Sequence, residues 1–255
     1  MKTAFQSDTG LVRHHNEDSG GVFTKSEHFL AIIADGMGGH NAGEVASQQA
    51  IKYFTEKWNS IPEEVLASVE NRKEWLHNTI TEVNKHVYTI ASGNDAMKGM
   101  GTTIVAALGD AFVVVVGNIG DSRCYLLSGE NFSKVTEDDT LVNELVKSGQ
   151  ITEDEAQIHP RKNVILKAVG TDYDVEPELS IIEWKSGDIL MLCSDGLSDK
   201  VNKNKIEHIL RNKDVPLGET ALEFIKEANR NGGDDNITVA LVMNAEIPQV
   251  HEGEA

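Results

Sequence analysis

The chain has 255 residues, 40% of them hydrophobic and 25% charged, enough apolar side chains to bury one sizeable core. Its 23 lysines and arginines face 41 aspartates and glutamates, and a net charge of −18 repels nucleic-acid backbones and anionic lipid surfaces, so binding to either is not expected. Two cysteines, Cys124 and Cys193, exclude a disulfide framework and a four-cysteine zinc site, and both read as buried small hydrophobes.

The elements follow in chain order. Short strands are expected near Thr3 to Gln6, Gly20 to Thr24 and Phe29 to Ala34. Ala46, Ala50, Phe54 and Trp58 then line one stripe of a helix from Gly43 to Trp58. A second helical stretch carries Val65, Leu66 and Val69, then Leu76, Ile80, Val83 and Val87, with a break expected near Asn71 to Lys73. After Gly101 the period changes. Thr103 to Leu108, Phe112 to Val116 and Cys124 to Leu127 are rich in β-branched and aromatic residues and read as hairpin-connected strands. Leu141 to Val146 suits a short helix, Ile189 to Cys193 a buried strand, Lys203 to Leu210 and Glu219 to Asn229 helices, and Ile237 to Met243 a last strand. Strand runs with helices grouped between them predict an α+β layered sandwich. One domain over residues 1–245 is expected, followed by a mobile acidic tail at 246–255. Even the longest apolar runs, such as Ala111 to Val116, are far too short for a bilayer, and the amino terminus carries no charged-then-apolar signal pattern. A cytoplasmic location without membrane insertion is therefore expected.

Aspartates recur at the ends of these strands. Asp35-Gly36 follows Ile32-Ile33-Ala34, Asp195-Gly196 follows Met191 to Ser194, Gly120-Asp121 follows Val113 to Val116, and Asp235 precedes the last strand. One Asp-Gly is ordinarily a turn, but several at one sheet edge raise an energetic problem. Two carboxylates about 5 Å apart repel by roughly 3 kcal/mol at an effective dielectric near 20. Such groups take up protons or demand cations, and oxygen ligands without His or Cys suit Mg2+ or Mn2+. Upstream, Arg13 precedes Glu17 and Asp18, and its guanidinium is suited to gripping phosphate oxygens. His14 and His15 read as solvent-facing. Other chemistries lack anchors: Asn41 stands where a dinucleotide loop needs its third glycine, Cys193 has Asp199 where a thiolate phosphatase needs arginine, and no GxSxG elbow occurs.

These residues resemble the metal-dependent serine/threonine protein phosphatases of type 2C, in a bacterial form. The resemblance spans Arg13 to Asp18, Ala34 to Gly39, Gly101 to Thr103, Gly120 to Arg123, Ser194 to Leu197 and Gly232 to Val239. It implies a four-layer α/β/β/α sandwich of two antiparallel sheets flanked by helices. It also implies two ions, Mn2+ or Mg2+, with a third at Asp121 and Asp195. Asp35 then bridges the pair, the Gly36 carbonyl completes one shell, Asp195 and Asp235 hold the second ion, and Glu17 and Asp18 contact ion-bound waters. Arg13 grips the substrate phosphate, and water activated by the two ions attacks phosphorus directly. Many relatives have histidine at Met37, which cannot transfer a proton; His40 is the nearest titratable candidate, with water as the alternative. The resemblance further implies a flap over 136–166 with a helix at Leu141 to Leu145, and Asp139-Thr140 in place of the usual His-Ser. The acidic stretches Glu137 to Asp139 and Glu153 to Glu155 read as solvated faces. The expected partners are phosphorylated proteins and a cognate serine/threonine kinase, and the expected form is a monomer. A phosphoprotein-binding scaffold and a small-molecule phosphoesterase stay open as alternatives.

Overall fold

A computed structural model describes residues 1–39 and 42–245. Two antiparallel sheets stack face to face. One has the order β1 (Lys2–Asp8), β11 (Ile237–Met243), β10 (Ile189–Cys193), β7 (Arg123–Ser128) and β8 (Asn131–Lys134). The other has the order β2 (Asp18–Lys25), β3 (His28–Met37), β5 (Ile104–Gly109), β6 (Val113–Ile119) and β9 (Glu178–Glu183), with the short β4 (Gly101–Thr102) beside β3.

Alternation along β3 explains the layering. Phe29, Ala31 and Ile33 join Val105, Val114, Leu190, Leu192 and Ala240 in the core between the sheets. Leu30, Ile32 and Ala34 face the other way, onto Ala46, Ala50 and Phe54 of α1 (Ala42–Asn59) and Leu76 and Ile80 of α3 (Val69–Gly93). Period two in the strand thus meets period 3.6 in the helices, and both strand faces are buried. On the far side, α7 (Lys203–Leu210) and α8 (Leu217–Arg230) cover Met191, Cys193, Val239 and Leu241. The result is the α+β sandwich expected, with helices outside both sheets. Cys124 and Cys193 are fully buried on opposite faces of one sheet, Cys124 between the sheets and Cys193 under the helices.

Some expectations are corrected. The helical break falls at Ala67-Ser68, after α2 (Glu63–Leu66), and α3 runs unbroken through Asn71 to Lys73. Ser68 caps it by accepting from the Asn71 amide at 3.1 Å. Arg72, read as part of a break, is buried and paired with Asp110 at 2.9 Å. Strands β6 and β7 do not form a hairpin: Gly120 to Ser122 carries the chain from one sheet to the other, and the hairpins are β5–β6 and β7–β8. Between β8 and β9 lie α4 (Leu141–Lys147), capped by Thr140, and α5 (Glu153–Gln157), whose Thr152 and Glu155 form a capping box.

Candidate active site at the sheet edge

Where β2 pairs with β3, Asp18 stands directly opposite Asp35. Asp18 is buried, and its Oδ2 accepts from Ser194 Oγ at 2.7 Å. That hydroxyl also accepts from the Thr238 amide at 3.0 Å, which ties β2 to the turn after β10 and to β11. Asp35 is held by its backbone: its amide donates to Thr103 Oγ1 at 3.0 Å, and its carbonyl accepts from the Thr103 amide at 2.8 Å and Thr102 Oγ1 at 2.9 Å. Thr103 Oγ1 reaches Ser122 Oγ at 2.7 Å, beside Asp121. Asp195 opens α6 (Asp195–Ser198), close enough for its charge to act on Asp35. The glycines after the two aspartates serve close chain approach. A Cβ on Gly36 would stand 2.2 Å from the Gly43 carbonyl oxygen, and one on Gly196 would stand 2.0 Å from that of Asn236.

Arg13 and Glu17 enter from the loop between β1 and β2. Arg13 Nη2 donates to Asp235 Oδ2 at 2.8 Å, with both side chains partly open to solvent. Asn236 fixes that loop: its Oδ1 accepts from the Glu17 amide at 2.8 Å, and its Nδ2 donates to the carbonyls of Thr9 and His15 at 3.0 and 2.9 Å. His14 and His15 are exposed, as expected. Asp121 and Asp195 lie on the wall of a cleft of about 680 Å3 that continues between α4–α5 and α6–α7.

The carboxylates raise one another. Burial pushes Asp18 up to about 7, and Asp195 and Asp235 add to it against the Ser194 and Thr238 hydrogen bonds. Burial and then Asp18, Asp195, Asp121 and Asp235 hold Asp35 well above the usual carboxylate range. Asp121 is pushed up to about 7 by burial, Asp195 and Asp138, and Asp195 to about 6 by burial, Asp235 and Asp199. Glu17 is raised by burial, which Arg13 opposes. Burial works against the Arg13 guanidinium, but Asp235, Glu17 and Asp35 outweigh it and hold it more firmly protonated.

Two observations test whether divalent cations fit. Asp18 Oδ1 and Asp121 Oδ1 are buried without a hydrogen-bond partner, an arrangement that costs about 1–3 kcal/mol per group unless something positive meets it. The acidic groups are all hard oxygen donors, the set that suits Mg2+ and Mn2+. Among the described residues no three His, Cys, Asp or Glu side chains close into a cage. The unpartnered oxygens and the hard donor set fit a divalent cation.

Arg13, Glu17, Asp18, Asp35, Gly36, Asp121, Asp195 and Asp235 thus gather at one edge. His40, the candidate proton donor, lies outside the described residues, as does the 246–255 tail. One reading is overturned: Asp138 is no part of a solvated face. It is buried and takes two donors of Arg123 at 2.8 to 3.2 Å and Lys134 Nζ at 3.1 Å. Glu137 and Glu153 to Glu155 are exposed. Sequence reasoning missed Asn236, Ser194, Thr238 and Ser122, the polar scaffold under the acids. All four lie inside the motifs that carry the family resemblance, but nothing in the sequence assigns them a role of their own.

The sequence matches the Protein phosphatase 2C family over residues 12–231. The serine/threonine phosphatase Stp of Listeria innocua is 44% identical over 243 residues, covering 95% of each chain. The protein phosphatase PhpP of Streptococcus pneumoniae strain D39 is 36% identical, covering 96% of this chain and 99% of its own. Among solved structures, the Mycobacterium tuberculosis phosphatase PstP/Ppp superimposes with a TM-score of 0.86 at 37% identity, over 96% of this chain and 99% of that one. The catalytic domain of PstP in complex with two manganese ions gives a TM-score of 0.81 at 37% identity, over 94% and 96%.

Proposed function

This chain belongs to the protein phosphatase 2C family and is a bacterial serine/threonine protein phosphatase; from that premise we propose that it hydrolyses phosphoserine and phosphothreonine by direct attack of water at a two-cation centre. The observation that carries this reading is the facing of Asp18 and Asp35 across β2 and β3, with Asp195 close enough to raise both, Asp121 close enough to raise Asp35, and two buried carboxylate oxygens left unpartnered. Such a cluster is stable at neutral pH when it meets positive charge.

Asp35, the Gly36 carbonyl, Asp195 and Asp235 would hold the two cations, with Asp35 shared between them, and Asp121 with Asp195 would hold a third, weaker one. When bound, the two Mn2+ or Mg2+ ions supply an acidified water and neutralise phosphoryl oxygens. Arg13 contributes a fork of donors to the phosphoryl group, and its pairing with Asp235 keeps that fork aimed at the acidic rim. Glu17 and Asp18 orient waters. The departing serine or threonine oxygen takes its proton from water or from His40. No phosphoenzyme is needed. Residues 136–166 form a flap beside the site. The substrates are proteins phosphorylated by a serine/threonine kinase that the enzyme opposes, the place of action is the cytoplasm, and the enzyme works as a monomer. Among the described residues no helix is long and apolar enough to cross a membrane.

Phosphate release from a phosphothreonine peptide by metal-stripped protein, with and without Mn2+ and beside Asp195→Ala, tests the reading. Release that requires Mn2+ and disappears in the variant is expected. Equal release without cation, or undiminished release by the variant, would overturn the two-cation centre.

A further inference from the structure

Asp139 touches more of the site than its place outside the acidic rim suggests. Its backbone amide donates to the Gly120 carbonyl at 2.9 Å, and its Oδ2 accepts from the Gly120 amide at 3.1 Å. Both polar groups of the residue before Asp121 are therefore held by one partner. Gly120 is at φ +101, and a Cβ there would come within 2.7 Å of the Thr103 side chain, so the loop has little freedom to settle elsewhere. The other carboxylate oxygen, Oδ1, pairs with Lys167 Nζ at 3.0 Å, and the Asp139 carbonyl accepts from the Leu166 amide at 2.7 Å. Asp139 thus joins the entry of the 136–166 segment, its exit, and the Asp121 loop.

The exit is tied in once more. Val169 and Thr102 exchange backbone hydrogen bonds at 2.8 and 3.0 Å, and Thr102 Oγ1 donates to the Asp35 carbonyl. From Asp139 the contacts run through Gly120, Ser122 and Thr103 to Asp35.

We propose that Asp139 is a positioning residue for cation binding: by clamping Gly120 and pairing with Lys167 it sets the direction of Asp121, and through the same bonds it couples that setting to the 136–166 segment. The inference rests on the assignment of Asp121 as a cation ligand. A carboxylate with an unpartnered buried oxygen binds a cation well only where its loop is fixed, because the ordering is then already present before binding. Linkage makes the effect reciprocal: bonds that favour the cation are favoured by it.

Mn2+ titration of metal-stripped protein by calorimetry provides a test that does not depend on turnover. Asp139→Ala is expected to weaken the weakest Mn2+ step by ~10-fold or more, whereas Asp139→Asn, which keeps an oxygen for the Gly120 amide, is expected to recover most of that loss. With phosphopeptide, the Mn2+ concentration for half activity should move in Asp139→Ala further than turnover at saturating Mn2+. Introduced into Asp121→Asn, the alanine substitution should change Mn2+ binding no further. Additive losses would overturn the role of Asp139 alone; an Asp121→Asn protein with wild-type Mn2+ binding would remove the assignment of Asp121 and this inference with it. Should Asp139→Ala not fold, wild-type protein decides: hydrogen exchange at the Gly120 amide is expected to slow when Mg2+ is added, and no slowing would overturn the proposal.

Discussion

The two ends of β6 carry aspartates in opposite circumstances. At one end Asp110 accepts from the amides of Phe112 and Val113 at 2.8 and 2.9 Å and pairs with buried Arg72. Its carbonyl accepts from Trp184 Nε1 at 2.8 Å, and although burial opposes it, the two backbone bonds and Arg72 hold its carboxyl below the usual range. At the other end Asp121 has a buried oxygen with no partner and is pushed up to about 7. One strand therefore joins a carboxylate that stabilises the fold to a carboxylate the fold holds at a cost. The lesson is that satisfaction of the charge, not the residue type, separates a structural aspartate from a candidate functional one.

The sharpest way to break that comparison is to neutralise each kind of acid in turn. Asp35→Asn is expected to fold and to lose at least ~1,000-fold in Mn2+-dependent turnover of a phosphopeptide, since the site's charge-balancing ligand is gone while repulsion falls. Wild-type turnover would undo the site assignment. At the opposite end, Arg72→Met is expected to lower stability by about 3 kcal/mol in urea unfolding, because it leaves Asp110 without its cation, and to leave turnover within about twofold. An unchanged urea midpoint would show that the Arg72 pair contributes nothing.

The effect of pH should split the ends as well. Asp18, Asp121 and Asp195 are raised in the folded protein, so the native state binds more protons than the unfolded chain between about pH 4 and pH 7. In that window metal-stripped protein is expected to lose stability as pH rises. Asp110, being lowered, contributes stability above the unfolded carboxylate range and loses it as pH falls through its folded value. Melting of the metal-stripped protein from pH 4 to pH 8 measures the sum, and Mn2+ added at pH 7.5 should restore what was lost. A melting temperature that rises steadily across the window would contradict the site's electrostatics. The smallest effect is expected for Arg13→Ala: the Michaelis constant for phosphopeptide should rise by ~3- to 10-fold with turnover less affected, as a clamp acting on ground and transition states alike requires. A fall confined to turnover would place Arg13 in the chemical step instead.

Much of the fold was legible because the core strands and helices bury strong periodic patterns. Lys203–Leu210 and Ile237–Met243 follow their apolar spacing residue for residue. Two of the four edge strands were not legible: β8 and β9 are half exposed, with Asn, Ser, Lys and Glu among their residues, and pair along one side only. Helix α5 rests on a capping box and buries no side chain, so no apolar stripe announces it. In the site, Asp-Gly at strand ends marked Asp35 and Asp195, but the facing of Asp18 and Asp35 depends on the β2–β3 register, which spacing alone does not reveal. Asp138 looked solvated because its partner, Arg123, lies fifteen residues earlier, at the start of β7.

The buried cysteines carry a chemical consequence of their own. Burial pushes Cys193 up to about 12 and raises Cys124 as well, so neither sulfur is ionised at neutral pH. Alkylating agents and peroxide attack thiolates. Neither thiol is therefore expected to be the point at which such agents silence the protein, in contrast to phosphatases built on a reactive sulfur.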